Sequence, residues 1–351
     1  MNSGRHRAGP EVAVGLVGLG RFGKLHANVL GSLPGVCLAA VCDAREATVA
    51  EVAECYGVPG RFTDYERLLD ETRPDAVFLV TPEPAHAEMA LAAIRRGIAV
   101  FLEKPLATCY EDGQRVAAAA EQAGVLLQVG HILRFDVHHA YLKREVAAGH
   151  FGRLISLRVK RNGSRAWFPD QGDRAHPIYE ASIHDIDLLL WYTGSRCMRV
   201  YAAQQSVSGL RYPDACIALL RFQDGTLATV ETTWFVPDAA PANVLTDAWH
   251  GTIDAALELV GTEQTAHFNL LESGLLIWGQ RLSQQPEAAY WPDLHGRVTG
   301  ALREEVNHFV ECLRTGRTSS VTSIADAVEG LRIADAIIAS AESGREVQLA
   351  V

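Results

Sequence analysis

The sequence is short of lysine: only Lys24, Lys104, Lys143 and Lys160 occur, although lysine and arginine together number 32. A lysine inside a motif is therefore hard to attribute to composition. The chain also lacks a basic surplus. Its formal net charge is −10, so it has no excess of cations to neutralise phosphates, and no nucleic-acid partner is expected. No apolar run approaches the roughly 18 residues needed to span a bilayer, so no membrane partner is expected either. The stretch Val12 to Leu19 is too short for a secretory signal, carries glycines, and is followed by no small-residue cleavage site. The seven cysteines are scattered, odd in number and form no Cys-x-x-Cys pair. That pattern suits reduced, mostly buried thiols in a cytoplasmic protein and argues against structural zinc.

What is present reads as a two-domain globular protein. The chain has 351 residues, 48% of them hydrophobic and 21% charged, which is ample for two cores. In the first 130 residues short apolar runs alternate with helical patterns. Strands are expected at Val12–Val17, Val36–Cys42, Ala76–Val80, Ala99–Leu102 and Leu126–Val129. Helices are expected at Phe22–Leu33, Arg45–Tyr56, Ala85–Arg96 and Tyr110–Ala123. Strand–helix alternation makes a doubly wound parallel sheet, an α/β domain over residues 1–130.

Residues 131–351 change character. A strand is expected at Leu154–Arg161 and a helix at Glu180–Tyr192. Strand-like runs follow at Met198–Val207, Ala215–Phe222, Thr226–Phe235, Ile253–Val260, Thr265–Asn269 and Leu275–Trp278. Turn signals at Asp224-Gly225 and Ser273-Gly274 imply hairpins, hence an α+β domain with an open, largely antiparallel sheet. Ala239 to Asp247 reads as a loop. Two final helices, Leu302–Arg314 and Ser323–Ser340, close the chain and are free to pack back on the first domain.

Gly18-Leu19-Gly20-Arg21-Phe22-Gly23 follows the first strand and opens the first helix. Glycine suits a tight turn at 18, close approach of a pyrophosphate at 20, and close helix–strand packing at 23. Unpaired N–H groups at the helix start then face the anion. Asp43 ends the second strand, where a carboxylate accepts hydrogen bonds from ribose hydroxyls and repels a 2′-phosphate. The first domain is thus expected to be a Rossmann domain holding NAD. Arg45 leaves NADP as the second choice, because an arginine there can hold a 2′-phosphate.

Glu103-Lys104-Pro105 falls at the carboxyl end of a parallel strand, the edge where ligands bind in such sheets. A lysine there can hydrogen-bond a reacting hydroxyl and stabilise developing alkoxide charge. Read alone, the tripeptide is better explained as a Glu–Lys pair on a surface turn. Further along, Glu180, His184 and Asp187 have i, i+4, i+7 spacing and would share one helix face. A histidine between two carboxylates suits proton transfer; from spacing alone, acids at a helix start beside a satisfied histidine explain it as well.

Taken together, these pieces resemble the Gfo/Idh/MocA oxidoreductases. The resemblance rests on Gly18-x-Gly20-x-x-Gly23, Thr81-Pro82 with His86, Glu103-Lys104-Pro105, Gly130-His131-x-x-Arg134-Phe135 and Ile183-His184-Asp185-Ile186-Asp187. It implies that Lys104 and His184 are catalytic, with Glu180 standing where the family usually has aspartate. It implies cofactor contacts from Gly18, Gly20, Arg21, Phe22, Gly23, Asp43, Arg45, Thr81, Pro82, His86, Glu103, Lys104 and Pro105. Substrate contacts are expected from His131, Arg134, Trp167, His176, Tyr179 and Asp187. No metal is expected: His138 and His139 are adjacent and cannot share a helix face.

The implied reaction interconverts a secondary alcohol and a ketone on a cyclitol, aminocyclitol or sugar, with inositol dehydrogenases nearest. Two alternatives share the fold. One is a glycosidase that oxidises its substrate transiently and eliminates. The other is a non-catalytic cofactor sensor, which would need neither Lys104 nor His184. A homodimer or homotetramer is expected through the second sheet.

Overall fold

Apolar runs with no polar alternation must be covered on both faces, and in the computed structural model they form the middle of a parallel sheet. The structure describes residues 11–246, 249–272, 275, 277, 278, 283, 284, 286 and 288–350. The first sheet contains β1 (Val12–Val17), β2 (Val36–Cys42), β3 (Gly60–Phe62), β4 (Ala76–Leu79), β5 (Ala99–Glu103) and β6 (Leu127–Gly130). Their order is β3-β2-β1-β4-β5-β6, and every pairing is parallel. Strands β4, β5 and β6 are buried at every residue. The helices α1 (Arg21–Ser32), α2 (Glu46–Tyr56), α3 (Tyr65–Thr72), α4 (His86–Ile94) and α5 (Tyr110–Ala123) cross between them. Because the winding reverses between β1 and β4, a crevice opens at the carboxyl ends of those strands.

Periodicity does not reveal β3 or α3. A three-residue strand is too short to show a period, and α3 is set by its cap, with Asp64 accepting from the Arg67 N–H at 3.1 Å.

The second half contains α6 (Val137–Ala147), β7 (Leu154–Gly163), α7 (Phe168–Gln171), α8 (Ile183–Thr193), β8 (Cys197–Gln205), β9 (Ala215–Phe222) and β10 (Leu227–Thr233). It continues with β11 (Val244–Thr246), β12 (Trp249–Gly251), β13 (Ile253–Gly261), β14 (Thr265–Asn269), α9 (Gly300–Thr315) and α10 (Ile324–Ser343). The main sheet runs β14-β13-β7-β10-β9-β8 and ends on the short strand Val347–Gln348. It is antiparallel except where β7 meets β10.

Two local expectations change. The stretch from Ala239 is not simply a loop, since Val244–Thr246 pairs with Trp249–Gly251; Asp247 lies outside the described residues. The Ser273-Gly274 turn also lies outside them, as does Leu276; within the described part of the run Leu275–Trp278, Ile277–Trp278 is strand.

One face of this sheet is core and the other is open. Leu157, Val159, Val200, Ala202, Ala218, Leu220, Ala228 and Val230 are buried, while Tyr201, Ile217, Leu219 and Leu227 are exposed. The final helices do return to the first sheet: the Phe309 ring on α9 lies 5.4 Å from Phe78 and 5.6 Å from Phe101. On α10, Asp335 accepts from the Tyr110 N–H and from the Tyr179 hydroxyl, joining α5 to the second half.

All seven cysteines are free; Cys42, Cys197, Cys216 and Cys312 are buried, whereas Cys37 and Cys55 are exposed. Burial also governs His139 on α6, whose Nδ1 lies 2.9 Å from the Tyr192 hydroxyl. Burial pushes its pKa down to about 3, and the charges of Arg161 and His138 push the same way. Folded His139 therefore stays neutral while the unfolded chain gains a proton below about 6.5. Its effect is absent above pH 6.5 and grows as pH falls toward 3, at up to about 1.4 kcal/mol per pH unit. Urea denaturation of His139→Gln across that window is expected to give a shallower loss of stability than the unmodified chain. An identical slope would remove His139 as a cause.

Candidate active site

The site begins at the turn between β1 and α1. Gly18 has φ +87°, and a Cβ there would meet the Val80 carbonyl oxygen at 2.2 Å. A Cβ on Gly23 would meet the Gly18 oxygen at 2.0 Å, whereas a Cβ on Gly20 would meet nothing within 4 Å. Two glycines thus permit the fold of the turn, and the third leaves open space before a helix start that no side chain caps. That cradle fits a pyrophosphate.

Asp43, at the end of β2, is built into the same turn. One carboxylate oxygen accepts the Leu19 N–H at 2.8 Å; the other accepts the Arg45 N–H at 3.0 Å and Arg45 Nε at 3.3 Å. Burial works to raise its pKa, but those N–H groups and the Arg45 guanidinium outweigh it and hold the carboxyl below its usual range. Spacing alone suggested the acid as a ribose partner; the structure adds that it braces the glycine turn. Arg21 is exposed at the start of α1, and the Phe22 ring packs edge-on to His26 and Trp291.

At the ends of β4 and β5 the chain brings Thr81, Pro82, His86, Lys104 and Pro105 together. His86 is buried, with Nε2 2.8 Å from the Thr81 carbonyl oxygen and Nδ1 2.7 Å from that of Pro105. It therefore bridges the two turns. The Lys104–Pro105 bond is cis. Glu103 ends β5 with His26 Nε2 2.8 Å from its carboxylate, which also accepts the Lys104 N–H at 3.2 Å, and Gly130 leaves room for it.

Opposite Lys104 stands the segment that spacing assigned to one regular helix. Ile178–Ser182 is instead a π-helical turn, and α8 starts only at Ile183. π-helical turns displace the usual i→i+4 backbone bonds. Lys104 Nζ donates to the Glu180 carbonyl oxygen at 2.6 Å and lies 3.7 Å from its carboxylate. His184 follows one turn later. Its Nδ1 is buried without a partner, which leaves Nε2 as the nitrogen available to a substrate. Burial first, then the charges of Lys104, Arg161 and His131, hold its pKa well below 6.5. The ring is therefore neutral at pH 7 and able to accept a proton.

Most of the other expected substrate residues bond to protein partners, but both ring nitrogens of His131 and the Nε2 of His176 are buried without a hydrogen-bond partner. Arg134 makes a two-pronged contact with Asp187 at 2.8 and 2.7 Å and also donates to Asp326 and the Val321 carbonyl. This fork ties the turn after β6 to α8 and α10. Tyr179 is taken by Asp335. Trp167 donates to the His250 carbonyl at 2.8 Å and packs with Phe168, Trp234 and Val244. His176 is buried against Tyr212, its Nδ1 accepting the Ile178 N–H at 3.2 Å. His131 is buried beside Asp187, with Nδ1 3.7 Å from the carboxylate. The partners of Arg134 and Tyr179 lie far away in sequence, where spacing cannot find them.

Two further contacts escaped sequence reading. Arg161 is buried and donates to both oxygens of Asp185 at 2.9 and 3.0 Å. Asp185 adjoins His184 in the motif, so the signal was present but undirected. Glu83 and Arg174, which no motif marks, also pair across the two halves. Among the described residues, no group of three or more His, Cys, Asp or Glu side chains is placed to hold a metal, and no helix is long and apolar enough to cross a membrane.

A doubly wound nucleotide-binding sheet facing a lysine, a histidine and a glutamate at its carboxyl edge defines a nicotinamide-dependent oxidoreductase. Comparison with known proteins narrows the class. Residues 12–131 match the oxidoreductase family with an NAD-binding Rossmann fold, and residues 139–267 match the GFO/IDH/MocA C-terminal domain. The chain is 31% identical to inositol 2-dehydrogenase 2 of Saccharopolyspora erythraea, covering 94% of this chain and 93% of that one. It is 29% identical to the NAD(+)-dependent scyllo-inositol 2-dehydrogenase of Bacillus subtilis, covering 97% of each. The crystal structure of myo-inositol 2-dehydrogenase from Lactobacillus plantarum superposes with a TM-score of 0.84 over 97% of this chain and 100% of that one, at 24% identity, a likeness of fold. The chain belongs to the Gfo/Idh/MocA oxidoreductase family.

Proposed function

We propose that this enzyme oxidises a secondary hydroxyl of a free cyclitol or simple sugar, reversibly, with NAD. The observation that carries the reading is that Lys104, bonded to the Glu180 carbonyl, lies close enough to the neutral His184 for its charge to help depress that ring's pKa. The names of the related inositol dehydrogenases support the substrate class. The glycine turn would hold the pyrophosphate and Asp43 the adenosine ribose. Arg45 is folded onto Asp43, which offsets its charge and supports NAD over NADP. Bound nicotinamide supplies the acceptor for the hydride.

The protein's own residues manage the proton and the charge. His184 Nε2 removes the hydroxyl proton as the carbon–hydrogen bond breaks. Lys104 donates a hydrogen bond to the oxygen, whose negative charge grows in the transition state. Glu180 offsets the ammonium charge and fixes its position. In the reverse direction His184 returns the proton. The exposed apolar row Tyr201, Ile217, Leu219 and Leu227 supports a homo-oligomer built on the second sheet. The free, scattered cysteines support a cytoplasmic setting.

The test follows nicotinamide absorbance with NAD and, separately, NADP across inositols, aminocyclitols and aldoses. Turnover of a cyclitol or sugar with NAD is the expected result. NAD binding without net turnover on any of them would shift the assignment to transient-oxidation glycoside cleavage or cofactor sensing.

The glycines give a second, independent check. Gly20→Ala should leave the apoprotein's melting temperature unchanged, because its Cβ meets open space, yet weaken NAD binding about 100-fold by filling the pyrophosphate's place. Gly23→Ala should lower the melting temperature as well, because its Cβ strikes backbone. Calorimetric titration and thermal melting of both variants separate the two effects. Undiminished NAD affinity in Gly20→Ala would place the nucleotide elsewhere.

A further inference from the structure

Two contacts carry residues 172–182 of the second half across to the sheet edge of the first. One is the Lys104 bond to the Glu180 carbonyl. The other lies upstream, where Arg174 Nε and Nη2 donate to the two carboxylate oxygens of Glu83, each at 2.9 Å. A two-pronged guanidinium–carboxylate contact sets orientation as well as distance. Its two partners are unequal: the Glu83 side chain is 8% exposed and that of Arg174 is 38% exposed. Burial works to raise the Glu83 carboxyl, but Arg174, with help from Lys104, outweighs it and keeps the group ionised. Glu83 is thus a desolvated charge whose principal partner arrives from the other half of the chain, 91 residues away.

The position of each partner gives the pair a function. Glu83 directly follows Thr81-Pro82 and opens the 3-10 turn that leads into α4. It stands at the carboxyl edge where the nucleotide is expected. Arg174 stands between α7 and the π-helical turn that presents Glu180. The residues around it are anchored to their own half: the Arg211 N–H donates to Asp173 at 2.8 Å, and the Tyr212 N–H to the Gly172 carbonyl at 3.1 Å.

We propose that the Arg174–Glu83 fork is a positioning contact that docks segment 172–182 onto the cofactor turn, so that nucleotide bound at Thr81-Pro82 orders the substrate pocket around Lys104 and Glu180. This rests on the dehydrogenase reading for what Lys104 does, but not for whether the docking occurs. A cofactor turn fixed by nucleotide offers Glu83 in one place, and Arg174 follows it.

Trypsin reports the docking without any turnover, since it cleaves after Arg174. NAD is expected to slow cleavage of the Arg174–Ala175 bond several-fold in the unmodified protein. In Glu83→Gln, which keeps the shape of the side chain, the cut is expected to be faster and insensitive to NAD, while NAD still binds. Kinetically, Glu83→Gln and Arg174→Met should each raise the polyol KM by about tenfold with a smaller change in kcat, the signature of a misplaced pocket rather than lost chemistry. Should Glu83→Gln not fold, Arg174→Met changes a partly exposed side chain and still carries the KM comparison. Equal cleavage rates in both proteins with and without NAD would overturn the proposal, as would an unchanged KM in both variants. NAD-dependent protection in a protein that oxidises no polyol would support the fork and overturn only the dehydrogenase reading.

Discussion

Replacing Lys104 with methionine is expected to lower kcat about 1,000-fold while NAD binds as before. The ammonium sits at the carboxyl edge of β5, bonded to the Glu180 carbonyl at 2.6 Å and 3.7 Å from the Glu180 carboxylate. Those groups orient it without neutralising its remaining N–H bonds. An alkoxide forming in the cleft would be the strongest acceptor within its reach. Methionine keeps much of the length and apolar stem, so the loss isolates the charge and the donor. Arginine should not restore activity, because a planar fork cannot take the place of a compact ammonium between two fixed oxygens. The measurement is steady-state turnover on whichever polyol the panel selects, paired with NAD titration. A variant that keeps a tenth or more of its kcat would remove Lys104 from the chemistry.

The second large effect belongs to His184. His184→Gln retains a polar side chain near the same position but cannot take up a proton at neutral pH, and a loss of about 100- to 10,000-fold in kcat is expected. The pH dependence makes the sharper test. Burial and the neighbouring cations depress the folded pKa below 6.5, so the free base dominates at pH 7 and remains dominant as the pH falls past 6.5. The kcat/KM profile of the unmodified enzyme should therefore stay flat through 6.5 and fall only at lower pH. An acidic limb centred at or above 6.5 would mean that another group, or a differently placed His184, accepts the proton. The same depression has a cost in stability. The unfolded chain takes up a proton there that the folded one resists, so this histidine, like His139, weakens the fold as pH falls below 6.5.

Much of this architecture follows from local pattern. Val12–Val17, Val36–Cys42 and Tyr110–Ala123 are bounded in the structure as their periodicity suggests, because apolar runs and helical repeats are properties of neighbouring residues. The glycine turn is equally local: the residues that must lack a Cβ lie within six positions of one another. The order of motifs along the chain was sufficient to point to the family, and with it to Lys104 and His184 as the reacting pair.

What local pattern could not reach were partners. The i, i+4, i+7 reading of Glu180, His184 and Asp187 presumed a regular helix, and the π-helical turn at Ile178–Ser182 breaks that register. The fold laid Asp187, 53 residues on, against Arg134. It likewise brought His26, 77 residues away, against Glu103. In each case the residue's chemistry was legible, but its use was set by which distant group folding placed within hydrogen-bond range. A buried charge must find such a partner, and its choice is made by tertiary contact rather than by sequence neighbourhood. The elements, the glycine turn and the family were thus already written in the linear order. The partner that each buried polar residue takes came from packing, because only packing brings groups dozens of positions apart to within about 3 Å.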